Sequence, residues 1–233
     1  DDLTALGLGA DLLVHYGHSC LVPMDPNSGV KVLYIFVDIQ VDAQHFIETL
    51  KLNFSVDKRL SLVSTIQFVT TLQVAASKLQ EVGYNVTIPQ SKPLSPGEIL
   101  GCTAPKIDNV DVVIYLGDGR FHIEAAMIAN PKLLAFKYDP YDKTFTREHY
   151  DHKDMRLQRE NCIARAREAK TFGIIMGTLG RQGNPKVVEH LQKRLHCCDK
   201  NSIIYLFSEV YPAKLDLLSG VDAFVQVACP RLS

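Results

Sequence analysis

The chain has 233 residues, of which 46% are hydrophobic and 22% charged, and its formal net charge at pH 7 is -1. This composition is typical of a folded globular protein and excludes a disordered chain. A nearly neutral chain has no overall basic field for nucleic acid, and no apolar run reaches the roughly 18 residues that a membrane helix needs. We therefore expect a soluble, cytoplasmic protein without direct contacts to nucleic acid or membrane. Because the first residue is Asp1 and not Met, we interpret the chain as a fragment of a longer protein.

Six cysteines are present, without a C-x-x-C pair or a zinc-finger spacing. They are Cys20, Cys102, Cys162, Cys197, Cys198 and Cys229. A chain of this length with an ordinary core does not need a disulfide framework, so free or metal-bound thiols are expected. Three of them lie in or at the end of predicted helices and are interpreted as structural or incidental: Cys162, Cys197 and Cys198.

Strands and helices alternate along the chain, and this alternation predicts an α/β fold with parallel sheets. The predicted strands are 10–17, 32–37, 60–66, 84–88, 110–117, 133–138, 172–176, 202–207 and 221–228. The predicted helices are 42–52, 68–81, 122–129, about 147–170, about 185–196 and 214–218. Asp42 is a suitable N-cap for the first of these helices, and Gly83 ends the second.

A unit of roughly a hundred residues is repeated in the sequence. Asp11 and Asp111 each precede an apolar run, and Gly17 and Gly117 each close one. Asp38 and Asp139 are expected to end the strands that follow. A third copy of the run begins at Asp222, and the order of strand, turn, helix and strand in 60–88 recurs after Phe172.

Polar or glycine-rich turns follow three of the predicted strands, at 64–67, 117–122 and 177–184. In open α/β sheets ligands bind beyond the carboxyl ends of the strands, and a following helix N-terminus favours anionic groups such as a carboxylate. Glycines that merely form tight turns explain the same pattern equally well. The last turn does not fit a phosphate-binding P-loop, and no dinucleotide-binding glycine fingerprint follows a strand.

One thiol, Cys102, lies on a loop bounded by glycine and proline that runs from Pro96 to Pro105, just before the apolar strand at 110–116. Cys229 follows the apolar run at the far end of the chain, in what reads as the same surroundings. His18 and His122 have side chains that suit proton transfer or metal binding, although structural histidines are commoner. The residues thus indicate a multi-domain α/β protein with a ligand crevice and a thiolate metal site.

Five segments together resemble the 2-(3-amino-3-carboxypropyl)histidine synthases of diphthamide biosynthesis, with the match closest to the catalytic subunit of the eukaryotic heterodimer. These segments surround Cys102 (Gly97 to Pro105), Asp118 (Tyr115 to His122), Asp139 (Tyr138 to Tyr141), Arg181 (Gly177 to Gly183) and Cys229 (Val227 to Leu232). The resemblance extends over essentially the whole chain.

The resemblance implies duplicated Rossmann-like, three-layer αβα domains with parallel sheets around a central [4Fe-4S] cluster. The implied domains are the remainder of a first domain at 1–55, a second at 56–150 and an incomplete third at 151–233. Cys102 and Cys229 match the second and third cluster ligands of the family. The first ligand of the family precedes the position at which this chain starts, and Cys20 does not occupy its place.

Three cysteines for four irons leave one iron open, and the resemblance implies that S-adenosylmethionine binds there. The implied reaction transfers its 3-amino-3-carboxypropyl group to a histidine of translation elongation factor 2 by a radical mechanism. No acid-base catalytic residue is assigned. The residues expected to hold S-adenosylmethionine are Gln67, Gly119, Arg120, Gly177, Arg181 and Gln182. Arg181 either pairs with the carboxylate of the methionine moiety or holds its own loop.

The implied partners are a homologous second subunit, elongation factor 2 and a small iron-binding electron donor. Two alternatives remain open: an iron-sulfur dehydratase like quinolinate synthase, and a non-catalytic, stabilising subunit of the same heterodimer. We expect the chain of 233 residues on its own to bind a cluster poorly and to be inactive.

Overall fold

A computed structural model describes residues 2–17, 29–92, 94–101, 103–178 and 183–228. The strands are β1 (Leu12–Tyr16), β2 (Lys31–Ile35), β3 (Arg59–Ser64), β4 (Asn85–Thr87), β5 (Val112–Leu116), β6 (Leu134–Asp139), β7 (Thr144–Glu148), β8 (Thr171–Gly177), β9 (Asn201–Phe207) and β10 (Ala223–Val227). The helices are α1 (Asp2–Gly7), α2 (Ala43–Asn53), α3 (Val69–Glu81), α4 (Phe121–Ala129), α5 (His152–Arg167), α6 (Pro185–Cys197) and α7 (Pro212–Leu215), and a 3-10 turn covers Ile66–Phe68. None of the helices in these stretches has the length and the hydropathy of a membrane span.

The chain divides into two compact units, Asp11–Tyr150 and a second one made of Asp1–Ala10 with Asp151–Ser233. The unit Asp11–Tyr150 contains a five-stranded sheet in the order β4-β3-β5-β6-β7. Its strands are parallel except for β7, which is antiparallel to β6. The chain therefore builds outward from β3 to β4 on one side and from β5 to β7 on the other, so the strand order reverses between β3 and β5.

Each face of the five-stranded sheet has its own apolar core. On one face, alternate side chains of β3 and β5 pack with α2 and α3, and the cluster includes Phe46, Leu50, Leu62, Leu72, Ile114 and Tyr138. On the other face the intervening side chains pack with α4 in a cluster that includes Val63, Val113, Tyr115, Ile123 and Ala126. A strand buried on both faces reads as a continuous apolar run, as 112–116 does. The three-layer αβα arrangement confirms the predicted fold class.

The predicted helix boundaries in this unit are confirmed to within a residue or two. The side chain of Asp42 accepts a hydrogen bond from the amide of His45 and caps α2, which places Phe46 and Leu50 in the core. Gly83 follows α3 with a φ of 94°, a conformation that glycine adopts without a steric penalty.

The hydrogen bonds of two strand pairs confirm the repeat. Leu12 pairs with Lys31 in β1 and β2 as Val112 pairs with Leu134 in β5 and β6. The amide of Gly17 donates to the carbonyl oxygen of Ile35 in β2 over 3.1 Å, and that of Gly117 donates to the carbonyl oxygen of Tyr138 in β6 over 3.0 Å. One predicted correspondence is wrong: β2 ends at Ile35, so the register makes Phe36, and not Asp38, the equivalent of Asp139.

The second unit contains a three-stranded parallel sheet in the order β10-β8-β9. The connection from β8 through α6 to β9 repeats that from β3 through α3 to β4, and β10 pairs with β8 as β5 pairs with β3. This sheet therefore also reverses its order, between β8 and β10. The domain limits 1–55, 56–150 and 151–233 stay a prediction.

Two equivalent aspartates fix the first residues of these paired strands. The carboxylate of Asp111 accepts hydrogen bonds from the amide and the guanidinium of Arg59, and that of Asp222 accepts from the amides of Lys170 and Thr171. Hydrogen bonding to Arg59 lowers the pKa of Asp111 to about 2, and the amides of Thr171 and Lys170 likewise lower the pKa of Asp222. Charged aspartate at these positions therefore stabilises the strand pairing.

Two features of the segment after β6 differ from the prediction. Residues 144–148 form the antiparallel strand β7, which was not predicted. The charged helix therefore begins at His152 and not near Arg147, capped by the Asp151 carboxylate on the amides of Lys153 and Asp154. Residues 144–148 contain a single large apolar side chain, that of Phe145, so their sequence sets no clear period, whereas pairing with β6 satisfies their backbone groups.

Replacing Asp111 by Asn should lower the melting temperature at pH 7 by a few degrees, because the ion pair with Arg59 is lost. The folded-state pKa lies below the usual value of 3.8, so this stabilisation is complete above that value and disappears as the pH falls through about 2. Thermal unfolding of both proteins as a function of pH measures the difference. Asp108→Asn, at an exposed position nearby, is the control. A difference that stays constant down to pH 2 would contradict this account.

Candidate functional site

The predicted binding turns lie where the strand order reverses. In the first unit Thr65 follows β3 and Gly117 follows β5, and these two strands are direct neighbours. In the second unit Thr178 follows β8 and Ala228 follows β10, again on neighbouring strands. Such reversal points leave a crevice at the carboxyl edge of an open sheet, because the two flanking connections run to opposite sides. Each unit thus has one candidate crevice.

The turn after β5 is held by the buried ring of Tyr115. Its hydroxyl donates to the carbonyl oxygen of Asp118 over 3.3 Å, and burial raises its pKa well above the usual value. A Cβ on Gly117 would lie 2.5 Å from the Tyr115 hydroxyl, so no larger residue fits there without a shift. Gly119 is exposed and has a φ of 62°, which favours glycine. The backbone of this turn is consequently fixed before any ligand binds.

Arg120, which precedes α4, is engaged in several contacts within its own unit. Its guanidinium lies 3.3 Å from Glu124 and 3.3 Å from Glu148, and it donates to the carbonyl oxygen of His149 over 2.9 Å. These contacts connect the turn to the end of β7. A role of Arg120 in holding a ligand stays a prediction.

Gln67 lies three residues beyond the end of β3, and Gly177 is the last residue of β8, so both lie at or just beyond the end of the first strand of each repeated strand-helix-strand unit. The carbonyl oxygen of Gln67 accepts the amide of Ile39 over 2.8 Å, and its side chain is half-buried. A Cβ on Gly183 would lie 2.5 Å from the carbonyl oxygen of Gly177, so the two ends of that loop meet closely. Arg181 and Gln182 lie outside the described residues.

The segment around Cys102 is anchored on both sides. The amides and carbonyls of Leu100 and Thr103 exchange two hydrogen bonds of 3.1 Å and form an antiparallel bridge. Gly101 lies against the ring of Phe121, the first residue of α4, with no room for a Cβ. Cys102 itself lies outside the described residues.

Asn130, which no sequence pattern identified, binds the segment 105–107 that follows Cys102 in the sequence. Its side chain is buried, accepts the amide of Ile107 over 2.8 Å, and donates to the carbonyl oxygens of Pro105 and Ala126 over 2.9 and 3.0 Å. The bonds with Ile107 and Pro105 join the end of α4 to the connection between β4 and β5, and the bond with Ala126 lies within the end of α4 itself. Its position after a predicted helix was the only available signal.

Glu98 is a second buried polar residue that sequence reasoning missed. It is 1% exposed, and its backbone bridges to Ser64 at the end of β3. The amide of Ser64 donates to the carbonyl oxygen of Gly97 over 2.8 Å, and the carbonyl oxygen of Ser64 accepts the amide of Ile99 over 2.9 Å. The glycine-rich loop therefore lies along the carboxyl edge of the sheet, beside the point at which the strand order reverses.

The remaining predicted metal and proton-transfer residues divide into two groups. Cys20, His18 and Cys229 lie outside the described residues, whereas Cys162, Cys197 and Cys198 are exposed on α5 and at the end of α6. His122 lies beside Tyr115, with ring centroids 6.4 Å apart. Within the described ranges no three histidine, cysteine or acidic side chains form a group that could hold a metal ion.

The similar sequence surroundings of Cys102 and Cys229, the two predicted cluster ligands, suggested equivalent positions in the repeat. The strand register shows that their positions differ. The pairing of β10 with β8 matches that of β5 with β3, which makes Ala228 the equivalent of Gly117. Cys229 therefore follows the equivalent of β5 in the sequence, whereas Cys102 precedes β5 itself.

Comparison with known proteins identifies a family over the whole length of the chain. A family model described as putative diphthamide synthesis protein matches residues 1–233. The chain belongs to this family. All of it aligns with 2-(3-amino-3-carboxypropyl)histidine synthase subunit 1 from Homo sapiens, from Nematostella vectensis and from Schizosaccharomyces pombe, at 57%, 58% and 52% identity. The chain spans about half the length of these relatives, 53%, 50% and 55% respectively.

Two crystal structures of Dph2 from Pyrococcus horikoshii, one of them with a 4Fe-4S cluster, share the fold of this family member. In each case the TM-score is 0.76 at 26% sequence identity, over 99% of this chain and 67% of the other. The α/β architecture of this diphthamide synthesis family member is therefore that of a protein that binds an iron-sulfur cluster.

Replacing Asn130 by Ala should destabilise the protein by about 2 to 4 kcal/mol, because buried amide and carbonyl groups lose their partners. The exposed Asn53, whose side chain donates to the carbonyl oxygen of Thr49 over 2.8 Å, is the matched control and should cost below about 1 kcal/mol. Urea unfolding of the two alanine variants measures both values. Equal, small losses would mean that the segment around Ile107 is not held by this side chain.

Proposed function

We propose that the protein carrying this chain transfers the 3-amino-3-carboxypropyl group of S-adenosylmethionine to a histidine of translation elongation factor 2, as the first step of diphthamide biosynthesis. The observation that carries this proposal is the match to the diphthamide synthesis family over residues 1–233. Relatives more than half identical to the chain bear the name of a 2-(3-amino-3-carboxypropyl)histidine synthase subunit. This match does not favour a dehydratase like quinolinate synthase.

Cys102 and Cys229 would hold a [4Fe-4S] cluster, together with the thiol that the family carries in an earlier segment. The described residues on either side of Cys102 fit this role, because Leu100 and Thr103 exchange two hydrogen bonds and Gly101 packs against Phe121. Thiolates are the usual ligands of such clusters. When bound, such a cluster would supply the one electron that splits the sulfonium of S-adenosylmethionine into methylthioadenosine and a 3-amino-3-carboxypropyl radical.

The residues of this chain would bind and orient S-adenosylmethionine. The turn at Gly119 and Arg120, Gln67 in the neighbouring turn, and the loop with Gly177, Arg181 and Gln182 are the proposed contacts. The fixed backbone at Gly117 supports this role, because a preorganised turn loses little entropy when a ligand binds. Arg181 would pair with the ligand's carboxylate or hold its own loop.

The proposed partners follow from the same resemblance. They are a homologous second subunit, elongation factor 2 as the modified protein, and a small iron-binding protein as electron donor, all in the cytoplasm. The relatives' designation as subunit 1 supports an assembly of more than one subunit. The chain of 233 residues is expected to be inactive when isolated from the rest of such an assembly.

Replacing Cys102 or Cys229 by Ala in the full-length protein with its partner subunit should abolish the cluster's visible absorbance and the production of methylthioadenosine under reducing, anaerobic conditions. The expected loss is at least about a hundredfold, since the electron transfer depends on the cluster. Cys162→Ala, at an exposed thiol on α5, is the control and should keep both signals.

Two results would count against the proposal. Absence of methylthioadenosine from a wild-type assembly with an intact cluster would exclude this chemistry. Normal modification of elongation factor 2 by both cysteine variants would instead mean that this subunit only stabilises its partner.

A further inference from the structure

Glu98 is a buried carboxylate for which the described structure provides only one hydrogen bond. Its Oε2 atom accepts the amide of Ser95 over 3.0 Å. Its Oε1 atom is buried and has no hydrogen-bond partner, and no described lysine, arginine or histidine forms an ion pair with it. A buried charge without a partner is destabilising, so such a group requires an explanation.

The hydroxyl of Ser64, the residue bridged to Glu98, also lacks a hydrogen-bond partner. Ser64 is fully buried, its Oγ atom has no hydrogen-bond partner, and its backbone is bridged to that of Glu98. Two oxygen atoms without partners therefore come from adjacent backbone positions. They lie at the carboxyl end of β3, next to the strand-order reversal, and Glu98 comes four residues before Cys102 in the sequence.

The chemistry of this pair selects a cationic hydrogen-bond donor. A carboxylate repels another carboxylate or a phosphate, whereas an ammonium group offers a compensating charge and three N–H donors. The 3-amino-3-carboxypropyl moiety of S-adenosylmethionine carries one ammonium group. We propose that Glu98 Oε1 and Ser64 Oγ form the subsite that binds this ammonium group, an inference that rests on the proposed function and adds a contact to it.

The subsite explains why the glycine-rich loop lies along the end of β3. Gly97 has a φ of 84°, and a Cβ there would lie 2.8 Å from Leu72 and 3.0 Å from Ile88, so only glycine fits this approach. The bridge to Ser64 then places the backbone of Glu98 at the carboxyl end of β3, beside the strand-order reversal, and the chain continues from there to Cys102. One short loop thereby supplies a contact to the ligand and a proposed thiolate to the cluster.

Glu98→Gln tests the inference, because glutamine keeps the shape and the acceptor for the Ser95 amide but removes the charge. The full-length, cluster-loaded assembly is titrated with S-adenosylmethionine and, separately, with methylthioadenosine, which lacks the amino-acid moiety. We expect the affinity for S-adenosylmethionine to fall about 10- to 100-fold and that for methylthioadenosine to stay unchanged. Glu48→Gln, at an exposed carboxylate that pairs with Lys51, is the control and should leave both affinities unchanged.

Ser64→Ala provides a second measurement in case Glu98→Gln does not fold, and it should weaken S-adenosylmethionine binding about 2- to 10-fold. Cluster absorbance and melting temperature show whether each variant is intact. Full affinity of both intact variants, or equal losses for both ligands, overturns the inference and leaves the proposed function standing. A wild-type assembly that binds no S-adenosylmethionine overturns the proposed function and the inference with it.

Discussion

The parallel pairing of β3 with β5 is the constraint on which the rest of the unit Asp11–Tyr150 depends. Because β3 has already connected through α3 to β4 on its other side, β5 must enter the sheet at the remaining edge of β3. This places the turn after β5 beside the end of β3 and leaves the connection between β4 and β5 to cross the carboxyl edge. The glycine-rich loop with Glu98 lies in that connection. The same pairing recurs between β8 and β10.

Much of this architecture could be predicted from local sequence. The N-cap at Asp42, the stop at Gly83 and the apolar run 112–116 fix α2, α3 and β5, because caps, positive φ angles and strands buried on both faces leave clear signals. β7 left none, since Thr144 to Glu148 contain a single large apolar residue, Phe145, which sets no period. Its pairing with β6 depends on the tertiary structure.

The turns of the candidate site could be predicted from the sequence, but its buried polar residues could not. Glycines at 117, 119 and 177 identified the turns, because tight turns at strand ends demand them. The burial of Glu98 could not be inferred, since it results from a backbone bridge between residues 34 positions apart, Ser64 and Glu98. The same holds for Arg120, because Glu148 is the last residue of a strand that the sequence did not reveal and His149 follows it directly.

The ion pair between Arg59 and Asp111 has a consequence for the order of biosynthetic events. Its members are 52 residues apart in the chain, and the loop that they close contains α3, β4, Glu98 and Cys102. Long-range pairing of this kind forms after local helix and turn contacts, and during translation it cannot form before Asp111 has left the ribosome. The segment that carries Glu98 and Cys102 is therefore closed into its loop only after Asp111 has been synthesised.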